Sequence, residues 1–371
     1  MHDKSMRRHR EGKVCPLSKI LCFFHRKSTK KYRIPSFITT FVSQKSIMDR
    51  LELIKQPISA EFEVFKQKFD ASLQSSNPLL DEVIKFIKQR KGKMMRPMLA
   101  LLMAKLFGEI GDSTYYSAIS LELLHTASLV HDDVVDESDK RRGQSSVNAV
   151  YDNKVSVLVG DYLLATSLTN AALTADVQLV ELVSRLGQNL SEGEIIQLTN
   201  TNASDFSEEV YFDVIKKKTA ALFSTASEAG ARSVKCSDEM AKKAALFGEL
   251  IGIAFQIKDD IFDYFTSDEL GKPTGNDMRE GKLTLPSLYV LNTLNNEAMK
   301  TLAFKIRALK ATKEDIAHFI EYVKENKGIE YATEVMRSYR NKALEVLPSD
   351  ISIELKNALT SYIDYVIERK K

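Results

Sequence analysis

Two clusters of carboxylates dominate the chemistry open to this chain. The segment 113 to 136, STYYSAISLELLHTASLVHDDVVD, is apolar almost throughout until it ends in Asp132-Asp133-Val134-Val135-Asp136. The segment 239 to 265 ends in Phe255-Gln256-Ile257-Lys258-Asp259-Asp260-Ile261-Phe262-Asp263, with the same spacing of acids. At about 100° per residue, Asp132 and Asp136 share one helix face with His125 two turns earlier, and Asp259 and Asp263 share a stripe with Gln256 and Gly252. Acids this close repel one another, and an apolar helix keeps three of them only where cations neutralise the charge. Hard oxygen donors, with no cysteine or compact histidine set beside them, select magnesium over zinc. Magnesium leaves coordination positions for phosphate oxygens and water, so a phosphorylated substrate is expected.

Each acidic cluster is followed by residues suited to phosphate. Lys140-Arg141-Arg142-Gly143 comes after the first, and Gly271-Lys272-Pro273-Thr274-Gly275 with Glu280-Gly281-Lys282 after the second. Further upstream, Pro97 fits the first turn of a helix running through the apolar stretch 98 to 107, where its missing N–H costs nothing. Lys93 and Arg96 then flank a helix N-terminus, an end that already favours anions. A single DDxxD can be a solvated helix end; two of them in apolar helices, each with a basic segment behind it, argue for metal and phosphate. No Ser/His/Asp or Cys/His arrangement suggests a protein nucleophile.

The elements that must position these groups read as helices. Glycine and proline are scarce, tryptophan is absent, and Leu, Ala, Lys, Glu and Ile recur in amphipathic stretches, which predicts an all-α fold. From about residue 50 one helix follows another, punctuated at Asn77-Pro78, Gly111-Asp112, 137 to 146, 200 to 207 and 267 to 281. None of these breaks resembles a flexible linker, so a single domain over 48–371 is expected.

The net charge of +3 conceals an uneven distribution: residues 1–47 contain 12 Lys and Arg against 2 Asp and Glu, and the remainder 41 against 48. A globally basic nucleic-acid binder is thereby disfavoured, and the basic extension needs its own explanation. It reads either as an upstream stretch before a start at Met48 or as an organellar transit peptide; nucleic-acid or membrane-surface binding is a third reading. The stretch 15 to 24 is short and broken by Lys19, a poor secretory signal. Cys15 and Cys22 lie in this extension and Cys236 alone lies beyond it, so no disulfide framework is expected and a reducing cytoplasm fits. No uncharged apolar run reaches the roughly 18 residues that cross a bilayer, which predicts a soluble protein.

Taken together, these residues resemble the trans-isoprenyl diphosphate synthase family over about 55 to 370. Gly92-Lys93-Met94-Met95-Arg96-Pro97 resembles its GKxxRP element, Asp132 to Asp136 with Arg141-Arg142-Gly143 its first aspartate motif, Lys218-Thr219 its KT pair, and Phe255-Gln256 with Asp259, Asp260 and Asp263 its second motif. Asn148 departs from short-chain relatives, which often carry histidine there. The resemblance implies an isoprenoid-synthase bundle around a central cavity, packed as a homodimer, with two or three Mg2+ ions. It implies that Asp132, Asp136 and Asp259 bind metal, supported by Asp133, Asp260 and Asp263. Isopentenyl diphosphate would be held by Lys93, Arg96, His125 and Arg142, and the allylic diphosphate by Arg141, Lys218, Lys272 and Lys282. Lys218, Thr219 and Gln256 would serve the cation that forms when the allylic C–O bond breaks, and released diphosphate would remove the proton.

Ala127 and Ser128 occupy the positions that gate product length in the resembled family. Small residues there imply a long-chain polyprenyl diphosphate of the kind used for quinone side chains, released with a transient membrane contact. A block deeper down, at Leu124, Leu121 or within 155 to 173, would instead give a farnesyl or geranylgeranyl product. A terpene cyclase would carry a different second motif, and a regulatory subunit of a heteromeric synthase would lose one motif.

Overall fold

The chain is described by a computed structural model covering residues 50–89, 92–141, 143–200, 206–265 and 275–368. The basic extension, Arg142 and Lys272 lie outside the described residues. After helical residues 50–55 and a short turn at Gln56–Ile58 come α1 (Ser59–Ser72), α2 (Pro78–Gln89), α3 (Met95–Phe107) and α4 (Asp112–Val135). A two-residue hairpin, β1 (Lys140–Arg141) with β2 (Gln144–Ser145), leads into α5 (Val147–Leu173), α6 (Val177–Asn200) and α7 (Glu208–Ile215). A π turn at Lys216–Ala220 joins α7 to α8 (Ala221–Ser233), and α9 (Asp238–Phe262) follows. The chain continues through α10 (Asn276–Arg279), α11 (Leu285–Leu294), α12 (Glu297–Arg307), α13 (Lys313–Glu325), α14 (Gly328–Val346) and α15 (Ile353–Glu368). The all-α expectation holds, and the two acidic clusters lie at the C-terminal ends of α4 and α9.

Local chemistry explains the boundaries. Ser207, Ser237 and Thr312 cap α7, α9 and α13 by accepting backbone N–H bonds from the third residue on, and Thr312 and Asp315 complete a capping box. α3 starts after Met94, whose φ of +48° turns the chain sharply before Pro97 enters the first turn. α5 is broken at Asp152 (φ 71°, ψ 169°); the Asp152 carboxylate then accepts from Val155 N at 3.0 Å and starts the helix afresh.

The core is a bundle in which α4 packs along α5, α3 along α4 and α8, α8 along α9, and α9 along α14. α3 is buried all round from Pro97 to Ala104, which matches its uninterrupted apolar sequence. α9 approaches α8 closely because Gly248 and Gly252 face it: a Cβ at Gly252 would come 2.5 Å from the Ala220 backbone, and one at Gly248 2.2 Å from Phe223 O. That contact seats α9 against the π turn. No helix among the described residues is long and apolar enough to cross a membrane.

Candidate active site

At the end of α4 the three acids have different environments. Asp133 is only 1 % exposed and points inward, where its Oδ1 accepts from Arg141 Nε at 2.6 Å. Its backbone carbonyl accepts from Ser138 N at 2.9 Å and from Asn148 Nδ2 at 3.3 Å. Asp132 is partly buried and Asp136 exposed, one turn apart. Burial raises the Asp132 carboxyl above its ordinary range; Lys218 and Arg141 oppose that, whereas Glu194 and Asp136 reinforce it. The β1–β2 hairpin delivers Arg141 to this end by pairing it with Gln144.

At the end of α9 the division is sharper. Asp260 is buried, and its two oxygens accept from Tyr211 OH at 2.6 Å and Gln256 Nε2 at 2.8 Å. Gln256 Oε1 in turn accepts from Thr219 Oγ1 at 2.7 Å, so hydrogen bonds run from α7 through α9 to the π turn. Burial, then the Asp277 charge, pushes the Asp260 carboxyl up to about 8, and burial followed by the Asp260 charge pushes the Tyr211 phenol well above its usual range. Asp263 bonds to backbone: its oxygens accept from Asn276 N at 3.0 Å and Asp277 N at 3.1 Å, and its carbonyl accepts from Gly275 N at 2.9 Å. Asp259, like Asp263, is partly exposed.

The basic groups come from elements packed between and beyond these ends. Lys218 lies in the π turn, an irregularity that often marks functional helices. Its Nζ forms an ion pair with Glu194 and donates to Gln197 Oε1 at 3.4 Å, both on α6. Lys282 Nζ pairs with Glu280 at 2.6 Å. Burial alone would lower the Lys282 ammonium, but Glu280, Asp277 and Asp136 together raise it, so Asp136 from the first cluster acts on a lysine that follows the second. Partly exposed pairs of this kind contribute about 0–1 kcal/mol, so exchanging a carboxylate for a more highly charged diphosphate costs little.

A second basic group gathers at the start of α3. Lys93 Nζ lies 5.0 Å above the Tyr365 ring and the Arg96 guanidinium 5.3 Å from that of Phe223, with His125 buried on α4. Tyr362 OH donates to Met95 O at 3.0 Å, so α15 clamps this helix start. Burial raises the Tyr362 phenol, with Arg96 lowering and Glu122 raising it, which brings Arg96 and Glu122 to the same place. Ala127 is buried and Ser128 partly so, its Oγ donating to His125 O at 2.9 Å; Leu124 faces Gly187 of α6.

Sequence reasoning missed Glu194, Gln197, Tyr211 and Glu122. Helical spacing could have found the first two, since Glu194 and Gln197 are three residues apart on one face of α6. Tyr211 carried no signal, because its partner Asp260 is 49 residues away.

Among the described residues no three or more His, Cys, Asp or Glu are grouped so as to hold a metal ion. Asp132, whose carboxyl burial raises, Asp136 one turn on and Asp259 at the end of the other helix offer hard oxygen donors without forming such a group. Such a set suits a hard cation that shares its coordination with substrate oxygens.

Residues 77–323 match the family profile described as polyprenyl synthetase. The chain is 34 % identical over 326 residues to the octaprenyl diphosphate synthase of Haemophilus influenzae, covering 87 % of this chain and 97 % of that protein. It superposes on a geranylgeranyl pyrophosphate synthase from Bacteroides thetaiotaomicron with TM-score 0.76 and 52 % identity, over 86 % of this chain and 100 % of that one. A polyprenyl synthase from Caulobacter crescentus, complexed with calcium and isoprenyl diphosphate, gives TM-score 0.78 at 29 % identity, over 86 % and 98 % of the two chains. Two acid-tipped helices, with Lys218 and Lys282 bearing charge near their tips, thus occur in a fold and a sequence matched over most of the chain: the chain belongs to the polyprenyl synthetase family and is a trans-prenyltransferase with the isoprenoid-synthase fold.

Proposed function

We propose that this enzyme condenses isopentenyl diphosphate head to tail with an allylic diphosphate, using Mg2+, to make a long-chain all-trans-polyprenyl diphosphate for a quinone side chain. The observation that carries this reading is that Lys282, which follows the second acidic cluster, lies within electrostatic reach of Asp136 in the first. That influence of the first cluster on a lysine following the second supports one shared site for the diphosphate. Asp132, Asp136 and Asp259 would hold the metal. Bound magnesium neutralises carboxylate and diphosphate charge and favours departure of the leaving group.

The residues of the chain do the rest. Arg141, Lys218, Lys272 and Lys282 receive the charge that builds on the departing diphosphate, and Lys93, Arg96, His125 and Arg142 hold the second diphosphate with its double bond towards the allylic carbon. Arg141 must loosen from Asp133, and Lys218 from Glu194, as substrate enters. Thr219 and Gln256, locked together and anchored on Asp260, present fixed dipoles to the cationic carbon.

Small residues at Ala127 and Ser128 support a long product. A second reading, a C20 product, is favoured by the 52 % identity to a protein named as a geranylgeranyl pyrophosphate synthase and by Leu124, which stands beneath the gate against Gly187. Exposed Leu158 and Leu168 on α5, with Ile195 and Leu198 on α6, support a homodimer that covers these helices. The free Cys236 thiol accords with a cytoplasmic setting, where product would leave through transient membrane contact. The test is incubation of purified protein with Mg2+, labelled isopentenyl diphosphate and allylic primers of several lengths. Products longer than C20 support the main reading, a C20 stop the second, and no chain extension with any primer would refute both.

A further inference from the structure

Gly160 on α5 lies beneath the ring of His131 on α4. A Cβ at this position would stand 2.1 Å from His131 Nε2, 2.4 Å from Cδ2 and 2.9 Å from Cε1. Gly230, Gly248, Gly252 and Gly328 are also crowded, yet each is met first by backbone; Gly108 and Gly275 are met first by aliphatic side chains, at 2.9 and 2.8 Å, whereas Gly160 makes room for a polar ring. The seat is polar as well as close. His131 Nε2 lies 3.2 Å from Val157 O and 3.5 Å from Asp161 Oδ1. A carbonyl only accepts, so Nε2 carries the hydrogen in this contact.

His131 immediately precedes Asp132. On the other side, Asp133 is fixed through its carboxylate by Arg141 and through its carbonyl by Asn148. Asp132 is therefore bracketed: the residue before it is pinned to the second half of α5, and the residue after it to the hairpin and the first half. The break at Asp152 separates those two halves. Slide or rotation of the last turn of α4 would have to lift the imidazole off Gly160 and break its bond to Val157 O.

We propose that His131 is a positioning residue for the first acidic cluster, and that its seat on Gly160 sets where Asp132 and Asp136 present their carboxylates to Mg2+. The proposal rests on the reading of Asp132 as a metal ligand. The test is calorimetric titration of Mg2+ into protein saturated with inorganic pyrophosphate, with thermal midpoints recorded alongside. His131→Ala and Gly160→Ala should each weaken Mg2+ binding about tenfold, the lower end of what loss of an outer-shell support costs. His131→Gln, which keeps a donor for Val157 O, should recover most of the affinity. Gly160→Ala placed in the His131→Ala background should add nothing.

Mg2+ affinity unchanged in His131→Ala, even with a lowered thermal midpoint, would assign the histidine to packing and overturn the proposal. So would a Gly160→Ala loss that persists without the ring. Should Gly160→Ala not fold, His131→Ala against His131→Gln decides alone. Asp132→Ala is the separate control: unaltered Mg2+ binding there refutes the ligand assignment and the proposal with it, whereas a defect there beside normal His131 variants refutes the proposal only.

Discussion

Asp263 caps Asn276: its carboxylate accepts the backbone N–H of Asn276 at 3.0 Å and also that of Asp277 at 3.1 Å. The third acid of the second cluster thus fastens the segment that leads to Lys282, whose backbone N–H bonds to Asp277 O at 2.7 Å. Asp259 and Asp263 are one turn apart on α9, and they have different tasks.

Substitution should separate those tasks. Asp259→Asn is expected to cost orders of magnitude in kcat, as loss of a preorganised charge does. Asp263→Ala removes a cap worth about 1 kcal/mol and should act chiefly on KM for the allylic diphosphate, with a smaller fall in kcat. Steady-state kinetics with both substrates varied distinguishes them. Equal kcat losses in the two variants would return Asp263 to the metal site.

Tyr211→Phe removes one donor from the buried Asp260 carboxylate and leaves the ring in place. The unpaired oxygen should destabilise the protein by about 1–3 kcal/mol, measured by urea denaturation. Turnover should fall while KM values stay near normal, because Asp260 anchors Gln256 and touches no diphosphate. A fully active and fully stable Tyr211→Phe enzyme would show the chain of bonds to be dispensable.

Chelation gives a third prediction. Burial holds Asp132 above its ordinary value of 3.8, so its contribution to metal-free stability is present below that value and lost as pH rises through the raised pKa. Mg2+ relieves a penalty that grows with pH. With EDTA the protein should therefore melt lower than with Mg2+ and pyrophosphate together, by an amount approaching the ~2.7 kcal/mol expected at a hundred times Kd. The gap should narrow in acid. Identical melting curves with and without the two ligands at neutral pH would count against the site.

Product length should respond to Ser128. It is partly exposed on the turn before Asp132, so Ser128→Phe can project a ring into the path of the growing chain without overfilling the core. Ala127→Phe, at a buried position, should cost a further 1–3 kcal/mol, roughly, from overpacking. Mass analysis should show shorter prenyl diphosphates from Ser128→Phe. An unchanged distribution would move the gate elsewhere, and Leu124→Ala would then test the next turn.

Much of this site was legible because its residues are local. The apolar run ending at Asp132 predicted a buried helix tipped with acid, and α4 ends within that cluster; Pro97 predicted a helix start, and α3 begins at Met95. The inward turn of Asp133 follows from its place about a quarter turn or less around the helix from Asp132 and Asp136, but its partner Arg141 depends on a hairpin too short to leave a pattern. Asp263 was harder still. Periodicity placed it on the Asp259 stripe, yet its carboxylate is engaged by the backbone N–H groups of Asn276 and Asp277, and backbone donors have no sequence signature. The same holds for the Tyr211–Asp260 and Lys218–Glu194 pairs, which depend on how helices distant in sequence pack.

The π turn has one more consequence. A regular helix from Glu208 to Ser233 would keep one angular count along its whole length; a single five-residue turn shifts everything after Ala220 by about 100°. Tyr211 lies before this turn and Thr219 within it, and both bond into the Asp260–Gln256 pair. Point replacements in Lys216–Ala220 leave the offset in place, whereas gaining or losing one residue would put the two ends of the rod out of phase. In this stretch the number of residues is itself part of the active-site design.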